Sequence, residues 1–215
     1  RWRIRTDNPA AGFARNAEAP RDRYLSTHEI GRLSAALDTH SNRRAGDAVR
    51  LILLTGARRG EVLGARWDQF DLEAAIWIKP AATTKQRRLH RAPISASAAA
   101  LLRTIRLRVP EDCEWVFPGE VEGKPLQDIK RFWEYVRAKA ELPAVRIHDL
   151  RHTFASLLVS GGMTLPMIGK LLGHTQVQTT HRYAQLLDDP LRAGLELVGD
   201  MLQAKPRLTH AESVY

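Results

Sequence analysis

The chain has 215 residues, and 33 Lys and Arg residues against 24 Asp and Glu residues give it a formal net charge of +9 at pH 7. This length allows one well-formed core, and the excess of positive charge favours a polyanionic partner such as nucleic acid. The single cysteine excludes an internal disulfide and a thiolate metal cluster. Because the sequence carries no long apolar span and no signal-peptide pattern, it predicts a cytoplasmic protein with no membrane contact.

The N-terminal elements come first in chain order. Residues 1–23 are polar, rich in arginine and interrupted by proline and glycine, which predicts an arm or linker. The capping-box pattern at 26–29 opens a predicted helix. A more buried helix is predicted from Ala45 to Thr55, and Gly56 should end it.

The middle of the chain predicts two short strands, at 75–79 and 89–94, around the polar turn region 82–87. A third extended piece is predicted at 115–118. Helical patterns account for most of the remainder, at about 97–108, 126–140, 148–160, 165–172, 176–186 and 190–203. The predicted fold class is therefore mainly α with a small antiparallel β-sheet (α+β).

A basic segment overlaps the predicted strands. Between Ala74 and Pro110 no Asp or Glu occurs, and the eight Lys and Arg residues are Lys79, Lys85, Arg87, Arg88, Arg91, Arg103, Arg106 and Arg108. A stretch that is basic throughout predicts one wall of an anion-binding surface.

Two imidazoles, a guanidinium and a phenol lie in a short C-terminal stretch, as His148, Arg151, His174 and Tyr183. His148 and Arg151 are three residues apart and should share one face near a helix start. Cations can neutralise phosphate oxygens and a tyrosine oxygen can act as a nucleophile, so the set suits chemistry on a phosphate.

A zinc site is the main alternative for the histidines, since His148 and His152 stand four residues apart and His174 and His181 follow. No carboxylate occupies the expected position of a third ligand, and Arg151 between the first two histidines would repel a cation. We therefore expect no metal, and we expect His152 and His181 to be structural or to face phosphate.

Five segments, taken in order, resemble the catalytic domain of the tyrosine recombinase (phage integrase) family. They are TGARRGE at 55–61, TKQRRLHRAPI at 84–94, HDLRHT at 148–153, LLGH at 171–174 and TTHRY at 179–183. The resemblance covers about residues 24–203 and implies that family's catalytic-domain fold. It further implies that 1–23 is an arm from a missing core-binding domain and that 204–215 is a C-terminal tail.

The resemblance also implies a role for each matched residue. Arg58 and Arg151 would clamp the scissile phosphate, His174 would donate a hydrogen bond to it, and Glu61 would support the site. Tyr183 would be the nucleophile, and His148 would accept its proton. Lys85 would donate a proton to the leaving 5′ oxygen. Lys85 is preferred to the nearby Lys79 because it follows Thr84 and precedes two arginines. The predicted DNA contacts are Arg59, Lys79, Arg87, Arg88 and Arg91.

A member of this family would be a site-specific recombinase that cuts and rejoins DNA through a 3′-phosphotyrosine and a Holliday junction, without metal or cofactor. The implied partners are double-stranded DNA with a specific site, three further copies of the chain in a tetramer on DNA, and accessory DNA-bending or directionality factors. The protein would be a monomer when free and would work at the nucleoid.

Several alternatives stay open. A type IB topoisomerase would share the chemistry without choosing a site, and a non-catalytic DNA-binding protein could use the same fold. The apolar stripe Leu191, Leu195, Val198 and Leu202 predicts a helix packed either on its own domain or on a neighbouring protomer. The target site, the biological role, and the use of Tyr183 in its own site or a neighbour's are also open.

Overall fold

The computed structural model describes residues 23–81, 88–174, 178–187 and 195. The predicted arm except for its last residue, the turn region 82–87, the predicted helix 190–203 except for Leu195, and the tail lie outside this part. The helices are α1 (Thr27–Thr39), α2 (Arg43–Thr55), α3 (Arg59–Leu63), α4 (Ala96–Arg106), α5 (Lys130–Lys139), α6 (Ile147–Ser160), α7 (Leu165–Leu172) and α8 (Gln178–His181), with 3-10 turns at Trp67–Gln69 and Ala184–Leu187.

The first two helices begin and end with the local signals that the sequence carries. At the start of α1 the Ser26 hydroxyl accepts from the Glu29 backbone N–H, and the Glu29 carboxylate accepts from the Ser26 backbone N–H. Helix α2 ends at Gly56, which has φ of 61°. A Cβ at this position would lie 2.4 Å from the Phe154 ring, so only glycine fits the turn.

The sheet has three antiparallel strands in the order β1 (Phe70–Asp71), β2 (Ile76–Lys79), β3 (His90–Pro93). Trp77 pairs with Phe70 on one side and with Ala92 on the other. The two predicted strands are confirmed with shorter bounds, and β1 was not predicted because two residues carry no periodicity. A mainly helical fold with a small antiparallel sheet is thereby confirmed.

Two predicted helices differ in their bounds. The helix predicted from residue 126 begins at Lys130, because the Asp128 carboxylate accepts from the backbone N–H groups of Ile129 and Lys130 and starts the helix there. The helix predicted at 176–186 is divided into α8 and a 3-10 turn. Tyr183 lies at the break between them.

Apolar side chains form two core clusters, and α6 belongs to both. Leu150 is part of the main cluster between α1, α2, α4, α5 and the sheet, whereas Ala155 and Val159 belong to a second cluster with α7. Helix α6 therefore joins the main core to the C-terminal segment that carries Tyr183. Among the described helices, none has both the length and the apolar character needed to cross a bilayer.

Candidate active site

Arg151 is the buried centre of the candidate site. Its side chain is 3% exposed, and its guanidinium donates to the carbonyl oxygens of Gly56 at 2.6 Å and Leu172 at 2.8 Å. Burial, followed by the charge of Arg58, lowers the pKa of Arg151 to about 10, so the group remains a cation at neutral pH. Arg151 thus holds a positive charge where the ends of α2 and α7 meet α6.

His174 is placed by the glycine before it. Gly173 ends α7 with φ of 67°, and a Cβ there would lie 3.1 Å from the His90 ring on β3. The His90 ring is itself held, since its Nε2–H donates to the Lys170 carbonyl at 2.8 Å. The turn of the Leu-Gly-His segment therefore depends on glycine, and the His90 ring packs beneath this turn. The sequence did not indicate this packing role for His90.

The hydrogen bonds of His174 define its protonation state. Arg151 can only donate, so the 2.9 Å contact between its Nη2 and His174 Nε2 makes Nε2 an acceptor. Burial, followed by the charges of Arg151 and Arg58, lowers the pKa of His174 to about 4, so the ring is neutral at pH 7. Its proton is therefore on Nδ1, which donates to the hydroxyl of buried Thr180 at 2.9 Å.

Arg58 and Glu61 lie at the start of α3, directly after the Gly56 turn. The Arg58 guanidinium donates to one Glu61 oxygen at 2.8 Å, and the Arg58 backbone N–H donates to the other at 3.2 Å. Burial alone would raise the pKa of Glu61, but Lys79 and Arg58 hold it below its usual value. The carboxylate orients a guanidinium whose side chain is 26% exposed and can still receive a ligand.

Lys79 occupies a different place from the one predicted. It was expected to contact DNA, but its side chain is 4% exposed, donates to Glu61 Oε2 at 3.0 Å and lies over the Trp77 ring. Successive strand residues alternate between faces, so Lys79 points to the same buried side as Trp77. A buried ammonium that pairs with Glu61 supports the carboxylate that orients Arg58.

Replacing Lys79 with methionine should therefore destabilise the fold without weakening DNA binding. Removing one partner of a buried ion pair costs about 3–5 kcal/mol when the other charge is left uncompensated, and the cost here should lie below that range because Glu61 keeps its ion pair with Arg58. Exposed Arg91, on β3, is the matched control: Arg91→Ala should leave the free energy of unfolding unchanged and lower the salt dependence of DNA affinity by about one unit of slope. Urea unfolding and duplex binding at several salt concentrations distinguish the two variants. Equal stability of Lys79→Met and the parent chain would contradict the assignment.

Tyr183 lies against α6 with only 4% of its surface exposed. Its ring packs in the second core cluster, and its hydroxyl is 2.7 Å from Nδ1 of His152. The ring of His148, the predicted proton acceptor, packs edge-on against His152 with centroids 4.9 Å apart. The imidazole that contacts the phenol is therefore His152, whose part in the site the sequence did not reveal.

The other predicted DNA contacts are spread around the candidate site. Of these, Arg87 lies outside the described residues, as does Lys85, the predicted donor to the leaving 5′ oxygen. Arg88 and Arg91 are exposed at and beside β3, and Arg59 lines an open groove of about 450 Å³ next to His148, where its guanidinium lies 3.0 Å from Asp128. Lys130, Arg137 and Arg146 line the same groove, together with Glu134.

Part of the basic segment is engaged within the protein, and its role as one wall of an anion-binding surface stays a prediction. All three arginines on α4 or just after it are engaged by their own chain: Arg103 donates to the Leu72 carbonyl, Arg106 to the Glu111 carbonyl and Arg108 to Asp47. Among the described residues, no group of three or more His, Cys, Asp or Glu side chains is arranged to hold a metal ion.

The fold is similar to that of proteins whose structures are known. The structure superposes on the catalytic domain of bacteriophage HP1 integrase with a TM-score of 0.62 at 27% identity, over 80% of this chain and 93% of that one. The fold is thus that of an integrase catalytic domain.

The family model for the phage integrase family matches residues 23–189, and the chain belongs to this family. It is 25% identical to the integrase of Salmonella phage P22 over 90% of its own length and 51% of that protein. It is 28% identical to tyrosine recombinase XerD of Brucella suis over 87% of its own length and 67% of that protein. The chain therefore spans about half to two thirds of these relatives.

Proposed function

We propose that this chain is the catalytic part of a site-specific DNA recombinase that cuts and rejoins strands through a 3′-phosphotyrosine. The observation that carries the proposal is that the Tyr183 phenol and the cationic group Arg151 lie at one short stretch of α6, where the phenol contacts the residue next to Arg151. Arg58 follows directly on the Gly56 turn, whose carbonyl accepts from Arg151, so two cations and a nucleophile share the site.

The two guanidinium groups would hold the non-bridging oxygens of the scissile phosphate. As Tyr183 attacks phosphorus, charge builds on these oxygens in the transition state, where fixed cations stabilise it without having to reorganise. Buried Arg151 is already oriented by two carbonyl groups, and Arg58 by Glu61. This preorganisation is what an electrostatic mechanism requires.

The covalent step would exchange one phosphoester for another. The Tyr183 oxygen bonds to phosphorus and its proton passes to an imidazole on α6, for which His148 is the proposed acceptor. The bond from phosphorus to the 5′ oxygen breaks, and that oxygen takes a proton from Lys85. Rejoining is the reverse step with a new 5′ hydroxyl, so no cofactor or energy source is consumed.

His174 would have to change its hydrogen bonds to assist. Its Nε2 accepts from Arg151 in the free chain and must carry a proton to donate to a phosphate oxygen. The exchange moves the ring proton from Nδ1 to Nε2, after which Nδ1 needs a donor. The Thr180 hydroxyl, which accepts from Nδ1 in the free chain, can turn and donate instead.

Thr180→Val should therefore slow DNA cleavage by roughly 10–100-fold, by analogy with the range found when a metal-binding histidine loses the hydrogen-bond partner that orients it. Thr180→Ser keeps the hydroxyl and should stay within a few-fold of the parent chain. Single-turnover cleavage rates measure the difference, and thermal unfolding of both variants shows whether packing is preserved. Equal rates for the valine and serine variants would contradict the role of the hydroxyl.

The proposed partner is double-stranded DNA bearing a recombination site. The exposed arginines beside β3 and the groove beside His148 would bind neighbouring phosphates, and such contacts give affinity that falls steeply with salt. Assembly of four protomers on two duplexes, a Holliday-junction intermediate, accessory bending factors and action at the nucleoid complete the proposal.

Capture of the covalent intermediate tests the function. Nicked duplexes that tile the DNA flanking the encoding gene would be incubated with the chain and separated under denaturing conditions. An adduct with a subset of these duplexes supports a site-specific recombinase. An adduct with every duplex, together with relaxation of plasmids that lack the site, would indicate a topoisomerase, and binding without any adduct would indicate a non-catalytic protein.

A further inference from the structure

His152 contacts the nucleophile in the free chain. Its Nδ1 lies 2.7 Å from the Tyr183 hydroxyl oxygen, a normal hydrogen-bond length for these groups. The two rings are tilted, with centroids 5.9 Å apart, so the contact is made by the polar atoms and not by ring stacking. No role for His152 in chemistry follows from the family resemblance.

Apolar packing fixes the Tyr183 ring but cannot direct its hydroxyl. The ring lies in the second cluster with Val159, Ile168 and Leu172, all of which are apolar. Tyr183 is nearly fully buried, so its hydroxyl needs a partner within the protein. His152 supplies a partner whose direction is set by α6, the same helix that fixes Arg151.

The His152 ring is held in turn by its neighbour. His148 precedes it by one helical turn, and the two rings meet at an interplanar angle of 88°. Burial, followed by the influence of His148 and Arg182, lowers the pKa of His152 to about 4, so the ring is neutral at pH 7 and Nδ1 can accept a hydrogen bond from the phenol. A neutral acceptor holds the phenol in its protonated form.

We propose that His152 is a positioning residue for the nucleophile: its Nδ1 accepts a hydrogen bond from the Tyr183 hydroxyl and holds the phenol oxygen at the site of its own chain. The inference rests on the proposed function and adds to it a control on the geometry of attack.

Three substitutions of His152 test whether the hydrogen bond, and not the size or the polarity of the side chain, controls the rate of adduct formation. In His152→Asn the side-chain amide places its oxygen at the same number of bonds from Cα as Nδ1, so the acceptor is retained. His152→Gln moves the amide one bond further out, and His152→Leu keeps the bulk without an acceptor. Each is compared with the parent chain on the nicked duplex that gives the strongest adduct.

We expect His152→Leu and His152→Gln to lower the single-turnover rate of adduct formation on the order of 10²-fold, the effect of misplacing a reacting group by about 1 Å. His152→Asn should restore the rate to within a few-fold. Equal rates for the parent and His152→Leu, or an asparagine variant as slow as the leucine variant, would overturn the proposal. Absence of any adduct with the parent chain would instead count against the proposed function.

A measurement without DNA keeps the test independent of the substrate. In ¹⁵N NMR of the imidazoles, removal of the Tyr183 hydroxyl by Tyr183→Phe should change the Nδ1 resonance of His152. The resonance of His40, whose ring packs against Phe132 and Tyr135, should stay unchanged. An unchanged His152 resonance would show that the hydrogen bond is not made in solution and would overturn the inference.

Discussion

Tyr183→Phe should abolish the covalent protein–DNA adduct while leaving the chain folded. The substitution removes one oxygen atom, and the ring can keep its place in the second core cluster. Loss of the hydrogen bond to His152 should cost only about 1 kcal/mol of stability. Loss of a nucleophile, in contrast, should lower the rate by on the order of 10⁴-fold or more, because no other step can replace covalent attack.

Tyr135→Phe is the matched control for this substitution. Tyr135 lies on α5 and is 51% exposed, so the same chemical change should leave adduct formation unaffected. Denaturing electrophoresis of labelled nicked duplex measures both variants. An adduct that persists in Tyr183→Phe at the level of Tyr135→Phe would show that the nucleophile is elsewhere.

Arg151→Lys should impair both cleavage and folding, despite conserving the charge. A lysine ammonium is a single point charge and cannot reproduce a planar fork that donates to two carbonyls and still faces a phosphate. Losing a transition-state donor typically costs on the order of 10²–10³ in rate. The Gly56 and Leu172 carbonyls would also lose their partner, at about 1–3 kcal/mol for each buried group left unpaired.

Arg58→Lys provides the comparison, because Arg58 is more exposed and its guanidinium donates to Glu61 and not to buried carbonyls. We expect a similar loss of cleavage rate with a much smaller change in the free energy of unfolding. Single-turnover cleavage and urea unfolding of the two variants give the comparison. A fully active Arg151→Lys variant would mean that Arg151 has only a structural role.

The sequence predicted most of the fold because local signals specify it. The capping box at Ser26 and the glycine that ends α2 act within a few residues of themselves, and both were confirmed. Strand β1 escaped prediction because two residues carry no periodicity, and the break near Tyr183 escaped it because it depends on packing with distant residues. Local pattern carries no information on those partners.

The candidate site was likewise predicted only in part, because some of its contacts depend on distant segments. Spacing placed His148 and His152 on one face of a helix, but which ring meets the phenol depends on where the segment after α7 lies. Lys79 was assigned to DNA from its charge, although its spacing of two residues from Trp77 in a strand already indicated the buried face. Charge patterns predict surfaces well only where the strand or helix face is known.

The contacts of Arg151 determine when, during synthesis of the chain, the candidate site can form. From α6, its guanidinium contacts the Gly56 turn and the end of α7, which lie 95 and 21 residues away from Arg151 along the chain. Before α7 has emerged from the ribosome, Arg151 lacks its contact with the Leu172 carbonyl, and the chain lacks Tyr183. The proposed site can therefore form only after translation has passed Tyr183 and α7 has folded against α2 and α6.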